Sequence, residues 1–239
     1  MAPISQETLI PAHKPLRYGA AQPGQRTSGM GPHLRLFLSG QHHRRLQHTH
    51  LSGTGAGDLY DISFMPVTLP YKEAEAPLGI YSKFSHDEES AYAGYYQVRL
   101  KDYHINVELT ATERCGIQRY TFPKAEAAIF LNLKKAMNWD FTNDSHIEVV
   151  DSVTIQGYRY SDGWARDQRI YFRTRFSKPF DKVELDTTAI IKDKQHIGTA
   201  VIARFDFHTE EGEQILVNTA ISGVSMEGAA RTCKRSARK

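Results

Sequence analysis

The middle of the chain alternates between apolar and polar residues. Ile105, Val107, Leu109 and Ala111 are separated by Asn106, Glu108 and Thr110, a period of two over seven residues. Ile170, Phe172 and Phe176 fall on one parity, with Tyr171, Arg173 and Arg175 on the other, and Val201, Ala203, Phe205 and Phe207 repeat the pattern. A period of two places apolar side chains on one face of a strand and polar ones on the opposite face. Tyr95–Leu100, Ile117–Phe122, Ala128–Leu133, Val150–Tyr160, Val183–Ile191 and Gln214–Ile221 are further β-rich runs. Turn-forming clusters separate them, among them Thr142-Asn143-Asp144, Ser161-Asp162-Gly163 and Glu210-Glu211-Gly212. About ten strands at intervals of roughly 8–20 residues, with little helical periodicity, predict an all-β fold, an antiparallel β-sandwich. No internal repeat or interior linker divides it.

The chain has 239 residues and 40% hydrophobic content, enough for a real core and too much for wholesale disorder. No apolar run approaches the roughly 18–20 residues of a membrane span. The first thirty residues lack the charged start and apolar core of a signal peptide, and localisation stays open. Cys115 and Cys233 are too few for a disulfide scaffold or a thiolate metal site. The net charge of +3 conceals a split. Residues 1–47 carry six Lys/Arg against one acid, Glu7, and hold five of the ten prolines. Arg231–Lys239 carries five Lys/Arg and no acid, whereas 48–230 carries 19 basic and 26 acidic residues. Residues 1–47 therefore read as an irregular arm, 48–231 as the sandwich domain and 232–239 as a basic tail. His42-His43-Arg44-Arg45 and Lys234-Arg235 are the phosphate contacts that a nucleic-acid reading would use. Solvated tails explain them as well, and no nucleic-acid partner is expected.

Chemical motifs within the domain are few. The segment His48-Thr49-His50-Leu51-Ser52-Gly53-Thr54-Gly55-Ala56-Gly57-Asp58 is the densest. On a strand His48 and His50 would share a face and suit a polar ligand, and the glycines would let backbone approach it closely. The Lys-Ser/Thr ending of a phosphate loop is missing, and two histidines without a third ligand do not make a metal site. A structural turn with hydrogen-bonded histidines is the alternative. Ser85-His86-Asp87-Glu88-Glu89 offers a histidine and three carboxylates, or simply a solvated acidic turn. Gly163-Trp164-Ala165-Arg166-Asp167 offers an indole for a sugar face and a guanidinium fork for hydroxyls, or a packing tryptophan. No arrangement of a catalytic triad is legible, and no catalytic residue is assigned.

Together these stretches carry a resemblance. HTHLSGTGAGDLYDISFMP, FSHDEESAYAGYYQVRL and INVELTATERCGIQRYTFP, followed by GYRYSDGWARDQRIYFRTRFSKPF and VNTAISGVSMEGAAR, resemble the amino-terminal domain of family-92 glycoside hydrolases, in that order and over 48–231. Those are bacterial exo-α-mannosidases. Upstream of His48 no family motif is legible. Dropping the first base of the codons for Met30–Gln47 permits WDPTSGYFYPDSTIVGFS, which leads into His48-Thr49-His50 as the family pattern does. The same shift over Pro11–Gln25 permits PGATSPFGMVQLSPDN. Borrowing one base before Thr232 permits NLQAE after Ala229-Ala230-Arg231. On this reading 1–47 and 232–239 are out-of-frame translation, which accounts for their acid-poor composition.

The resemblance implies a two-domain parent enzyme in which this sandwich packs on a larger (α/α)6 barrel. Hydrolysis would be calcium-dependent and inverting, with acid, base and calcium ligands in the absent barrel. The chain alone would be inactive and hold no cofactor. Its partners would be α-mannoside glycans and the missing (α/α)6 domain. His48, His50, Ser52, Gly53, Thr54 and Asp58 match the family's glycine-rich loop and are expected to bind substrate. His86, Glu89, Trp164 and Arg166 match other family positions and join that set. The alternative is a stand-alone carbohydrate-binding or interaction module that never needed the barrel.

Overall fold

Residues whose apolar positions recur every second place become strands with one buried face. In Tyr95–Leu100, Tyr96, Val98 and Leu100 are buried while Arg99 faces solvent. The computed structural model describes residues 42–43, 46–47, 61–74, 79–112, 115–134, 141–163, 165–192 and 195–236. Its strands in chain order are β1 (His42–His43), β2 (Leu46–Gln47), β3 (Ser63–Thr68), β4 (Glu73–Ala74), β5 (Gly79–Ile80), β6 (Ser82–Lys83), β7 (Glu89–Tyr92) and β8 (Tyr95–Leu100). They continue with β9 (Ile105–Ala111), β10 (Cys115–Phe122), β11 (Ala125–Asn132), β12 (Phe141–Asp151), β13 (Thr154–Asp162), β14 (Gln168–Phe176), β15 (Lys182–Lys192), β16 (Gln195–Thr209) and β17 (Glu213–Ser222). One helix, α1 (Met226–Ser236), follows. Among the described residues no helix is long and apolar enough to cross a membrane.

Two antiparallel sheets carry the fold. The larger has eight strands in the order β12-β13-β14-β17-β10-β9-β8-β7, and the smaller has five in the order β15-β16-β11-β3-β2. Their apolar faces meet. Phe176 of β14 packs against Phe205 and Phe207 of β16, with ring centroids 5.1 and 5.9 Å apart. The expected antiparallel sandwich is the observed architecture. In β11 every residue from Ala127 to Leu131 is buried, and Tyr71 meets Phe130 edge-on. Pro66 lies inside β3 opposite Ile129 of β11, and among the described residues β2 pairs with Phe64 and Ser63 and does not reach it.

The two sheets also touch at one side, where β16 passes β12. Ser145 Oγ accepts from the Val201 amide at 3.0 Å and donates to the Thr199 carbonyl at 3.1 Å. Asp144 Oδ1 accepts from the Thr199 amide at 2.9 Å. A Cβ on Gly198 would stand 2.1 Å from the Asn143 carbonyl oxygen, so only glycine allows this approach.

Several expected boundaries move. Thr142-Asn143-Asp144, expected as a turn, lies inside β12, where an irregularity in register falls between Thr142 and Asp144. Val150–Tyr160, read as one run, contains a hairpin turn at Ser152-Val153. The arm expected over 1–47 is not irregular to its end: Leu46 is buried and pairs with Phe64. Helix α1 runs through the expected boundary at 231/232 and lies against β14 and β17.

Candidate functional site

Asp61 stands just before β3, at the point where the segment following β2 returns to the sheet. It is buried, and so is Arg159 in the middle of β13. Arg159 Nη1 donates to Asp61 Oδ1 at 2.7 Å, with the two side chains 0% and 1% exposed. Arg159 Nε also donates to the Leu133 carbonyl at 3.1 Å and to Thr142 Oγ1 at 3.0 Å. Gln168, the first residue of β14, donates through Nε2 to both Asp61 oxygens, at 3.0 and 2.9 Å. A buried ion pair repays its desolvation only when further hydrogen bonds satisfy both partners, and this one has them.

The network ties together the roots of two segments. One is the segment containing His48, His50, Ser52, Gly53, Thr54 and Asp58, which lie outside the described residues. The other is the connection from β13 to β14, which contains Arg166 and Trp164, the latter also outside them. The connection is pinned on both flanks. The Asp167 amide donates to Asp162 Oδ1 at 3.0 Å, and Arg169 grips the Asp167 carboxylate at 2.8 and 3.1 Å. Asp167 takes a left-handed backbone, φ 56°, a conformation aspartate tolerates better than most residues. Arg166 itself is exposed.

His86 and Glu89 are brought together at a second place. His86 Nδ1 lies 2.5 Å from Glu89 Oε2, and Tyr96 Oη donates to Glu89 Oε1 at 2.8 Å. Burial first, and then the Glu89 charge, push the Tyr96 phenol well above its ordinary range. This cluster sits at β7, and four strands separate β7 from β14. At about 4.8 Å per strand the two places are roughly 24 Å apart across the sheet. The fold therefore does not bring His86 and Glu89 to Arg166. Among the described residues no three histidine, cysteine or acidic side chains converge to hold a metal ion.

Sequence reasoning passed over Asp61, Arg159 and Gln168. A signal existed for one of them: Arg159 falls on the inward parity of β13, with Ile155 and Gly157. An arginine on an apolar parity announces a buried partner. Asp61 and Gln168 carry no comparable mark.

The sequence model of the glycosyl hydrolase family 92 N-terminal domain matches residues 16–222. It begins within the segment where no motif was legible and so reaches further upstream than the motifs did. Comparison with curated proteins gives no match. Among solved structures, the chain is similar to a family GH92 α-mannosidase from Bacteroides thetaiotaomicron in complex with mannoimidazole. That likeness has 31% identity and a TM-score of 0.71, covering 82% of this chain and 28% of that one. The family GH92 inverting mannosidase from Bacteroides thetaiotaomicron VPI-5482 is 24% identical, with a TM-score of 0.59 over 73% of this chain and 23% of its own. The gh92 family glycosyl hydrolase ccman5 is 20% identical, with a TM-score of 0.61 over 80% of this chain and 27% of its own. The last two likenesses speak to fold alone. This chain thus spans less than a third of the enzymes it resembles. With the family model matched over most of its length and the same sandwich in its structure, the chain belongs to glycosyl hydrolase family 92, as its N-terminal domain.

Proposed function

We infer that this chain forms one wall of the sugar pocket of a calcium-dependent, inverting α-mannosidase acting on glycans, and that it does not hydrolyse glycosides alone. The observation supporting this is the likeness, at 31% identity, to 28% of an α-mannosidase several times longer. The rest of such an enzyme would supply the acid, the base and the calcium ligands. An inverting site holds an acid and a base about 6.5–9.5 Å apart with water between them. The carboxylates at the two places described here are already engaged: Asp61 by Arg159 and Gln168, Glu89 by His86 and Tyr96. Among the described residues no three histidine, cysteine or acidic side chains converge, so they do not fit calcium. His48, His50, Ser52, Gly53, Thr54 and Asp58, with Trp164 and Arg166, are the proposed contacts to sugar hydroxyls. His86 and Glu89 would meet a more distant part of a glycan.

The test is hydrolysis of an aryl α-mannoside, with and without calcium, by the chain alone and by the chain joined to an (α/α)6 domain of this family. No turnover is expected from the chain alone. Calcium-dependent turnover releasing the inverted anomer is expected from the joined protein. Turnover by the chain alone, abolished by Glu89→Gln or Asp58→Asn, would move the chemistry into the sandwich and overturn this reading.

A further inference from the structure

We propose that Cys115 and Cys233 are a redox pair, and that a disulfide between them staples helix α1 to the eight-stranded sheet. This stands apart from the sugar-pocket reading. They are the two cysteines of the chain, both thiols here, and the fold brings them together from opposite halves of the sequence. Cys233 lies beyond residues 16–222, which the family model matches, so the staple is a property of this chain.

Three strands make the floor. Cys115 opens β10 and pairs with Ala220 of β17, which pairs on its other side with Arg173 of β14, so the three side chains share a face. Helix α1 lies on that face. A Cβ on Gly228 would stand 2.6 Å from the Oγ of Ser222, two places along β17 from Ala220, and Ala229 is fully buried. Cys233 follows Ala229 by one helical turn, on the same side of α1, and is half-buried. The Cys115 thiol, itself buried, donates to the Thr232 carbonyl at 3.9 Å. The Cα of Cys233 stands about 3 Å from that oxygen, hence within about 7 Å of the Cys115 sulfur. A bridged sulfur lies about 4 Å from its partner's Cα, and a change of χ1 rotamer moves a cysteine sulfur by about 3 Å. Burial first, then the Cys115 charge, push the Cys233 thiol above its ordinary value, and Arg173 and Arg175 pull the other way, so Cys233 feels both β10 and β14.

The chemistry is thiol–disulfide exchange. The Cys233 thiolate, nearer solvent, attacks one sulfur of a small-molecule disulfide such as oxidised glutathione and releases one thiol. The Cys115 thiolate then attacks the Cys233 sulfur of that mixed disulfide and releases the second. Two electrons pass from the pair to the small disulfide, and the two cysteine protons end on the departing thiols.

The experiment equilibrates the whole chain in buffers of oxidised and of reduced glutathione. Samples are unfolded, alkylated, digested without reduction and mass-analysed, with thermal midpoints recorded in parallel. In the oxidised buffer one bond should join the peptides carrying Cys115 and Cys233 within a single chain. The midpoint should rise by roughly 5–10 °C over the reduced chain, because the bond closes most of the domain into one loop. Cys233→Ser, on the last turn of α1 and only half-buried in the native chain, should fold and show no such rise, and neither should Cys115→Ala. Glutathione held on Cys233 while Cys115 stays open to alkylation, or chains linked to one another through Cys233, overturns the proposal. So does a rise of equal size in Cys233→Ser. An intramolecular bond that leaves the midpoint unchanged overturns it too, since α1 would then have left the sheet to make it.

Discussion

Arg159 is the residue on which the inner polar network turns. Its guanidinium reaches Asp61, the Leu133 carbonyl and Thr142 from the interior of β13. Arg159→Met should cost about 3–5 kcal/mol, because Asp61 would remain charged and buried without its partner. Asp61→Leu combined with Arg159→Met should recover most of that loss. Urea midpoints of the two singles and the double decide it, and a double as unstable as the sum of the singles would deny the coupling. A second residue-scale expectation concerns His208, whose ring nitrogens lie 3.0 Å from Asp181 and 2.8 Å from Glu126. The Asp181 hydrogen bond, then the Glu126 charge, raise the imidazole above its ordinary value, and His208 lowers Asp181 in return. A raised histidine stabilises fully below its unfolded value of about 6.5 and loses that contribution as pH rises through the higher folded value. The lowered aspartate stabilises above its unfolded value near 4 and loses this as pH falls through the lower folded one. The clip is therefore complete between about pH 4 and 6.5, and small, because all three groups are exposed. His208→Asn should flatten the decline in thermal midpoint between about pH 6 and 8; an identical slope in both proteins would count against the clip.

Strands were legible where one face met the core and the other met water. Tyr95–Leu100, expected as a β-rich run, appears with those bounds, and the faces of β14 and β16 carry the residues expected of them. Elements that use polar side chains for packing were not legible. Thr142, Asn143 and Asp144 have turn composition, yet Thr142 Oγ1 donates to the Leu133 carbonyl at 3.0 Å, and Asp144 accepts from Tyr158 Oη and the Thr199 amide, both at 2.9 Å. Those partners lie 9, 14 and 55 residues away, and no local rule contains them. The turn at Ser152-Val153 was hidden for the opposite reason, having neither glycine nor proline. Its mark is Asp151, whose carboxylate accepts from the Val153 amide at 2.9 Å. The crossing of β12 and β16 supplies a prediction at this scale. Gly198→Ala places a methyl group against the Asn143 carbonyl and the Asp144 side chain, and should destabilise by about 1–3 kcal/mol as the strands are forced apart. A urea midpoint unchanged from wild type would show that the crossing yields without cost.

For the molecule as a whole, the fold class followed from period and spacing, but the arrangement of the candidate residues did not. Periodicity says which side of a strand is buried and is silent on which strands are neighbours. His86 and Arg166 therefore entered one set of candidate residues, although the strand order leaves four strands between β7 and β14. That same order has a consequence for how the protein is made. Strand β17, the last in the described chain, enters the eight-stranded sheet between β14 and β10 rather than at an edge. During synthesis β7 to β10 emerge as one meander and β12 to β14 as another, each with an inner edge of unpaired amides and carbonyls. Neither edge is closed until Glu213–Ser222 has left the ribosome and paired with both. A nascent chain paused short of that point presents two open templates for any neighbouring strand, so the keystone of this sheet is also the latest of its strands to arrive.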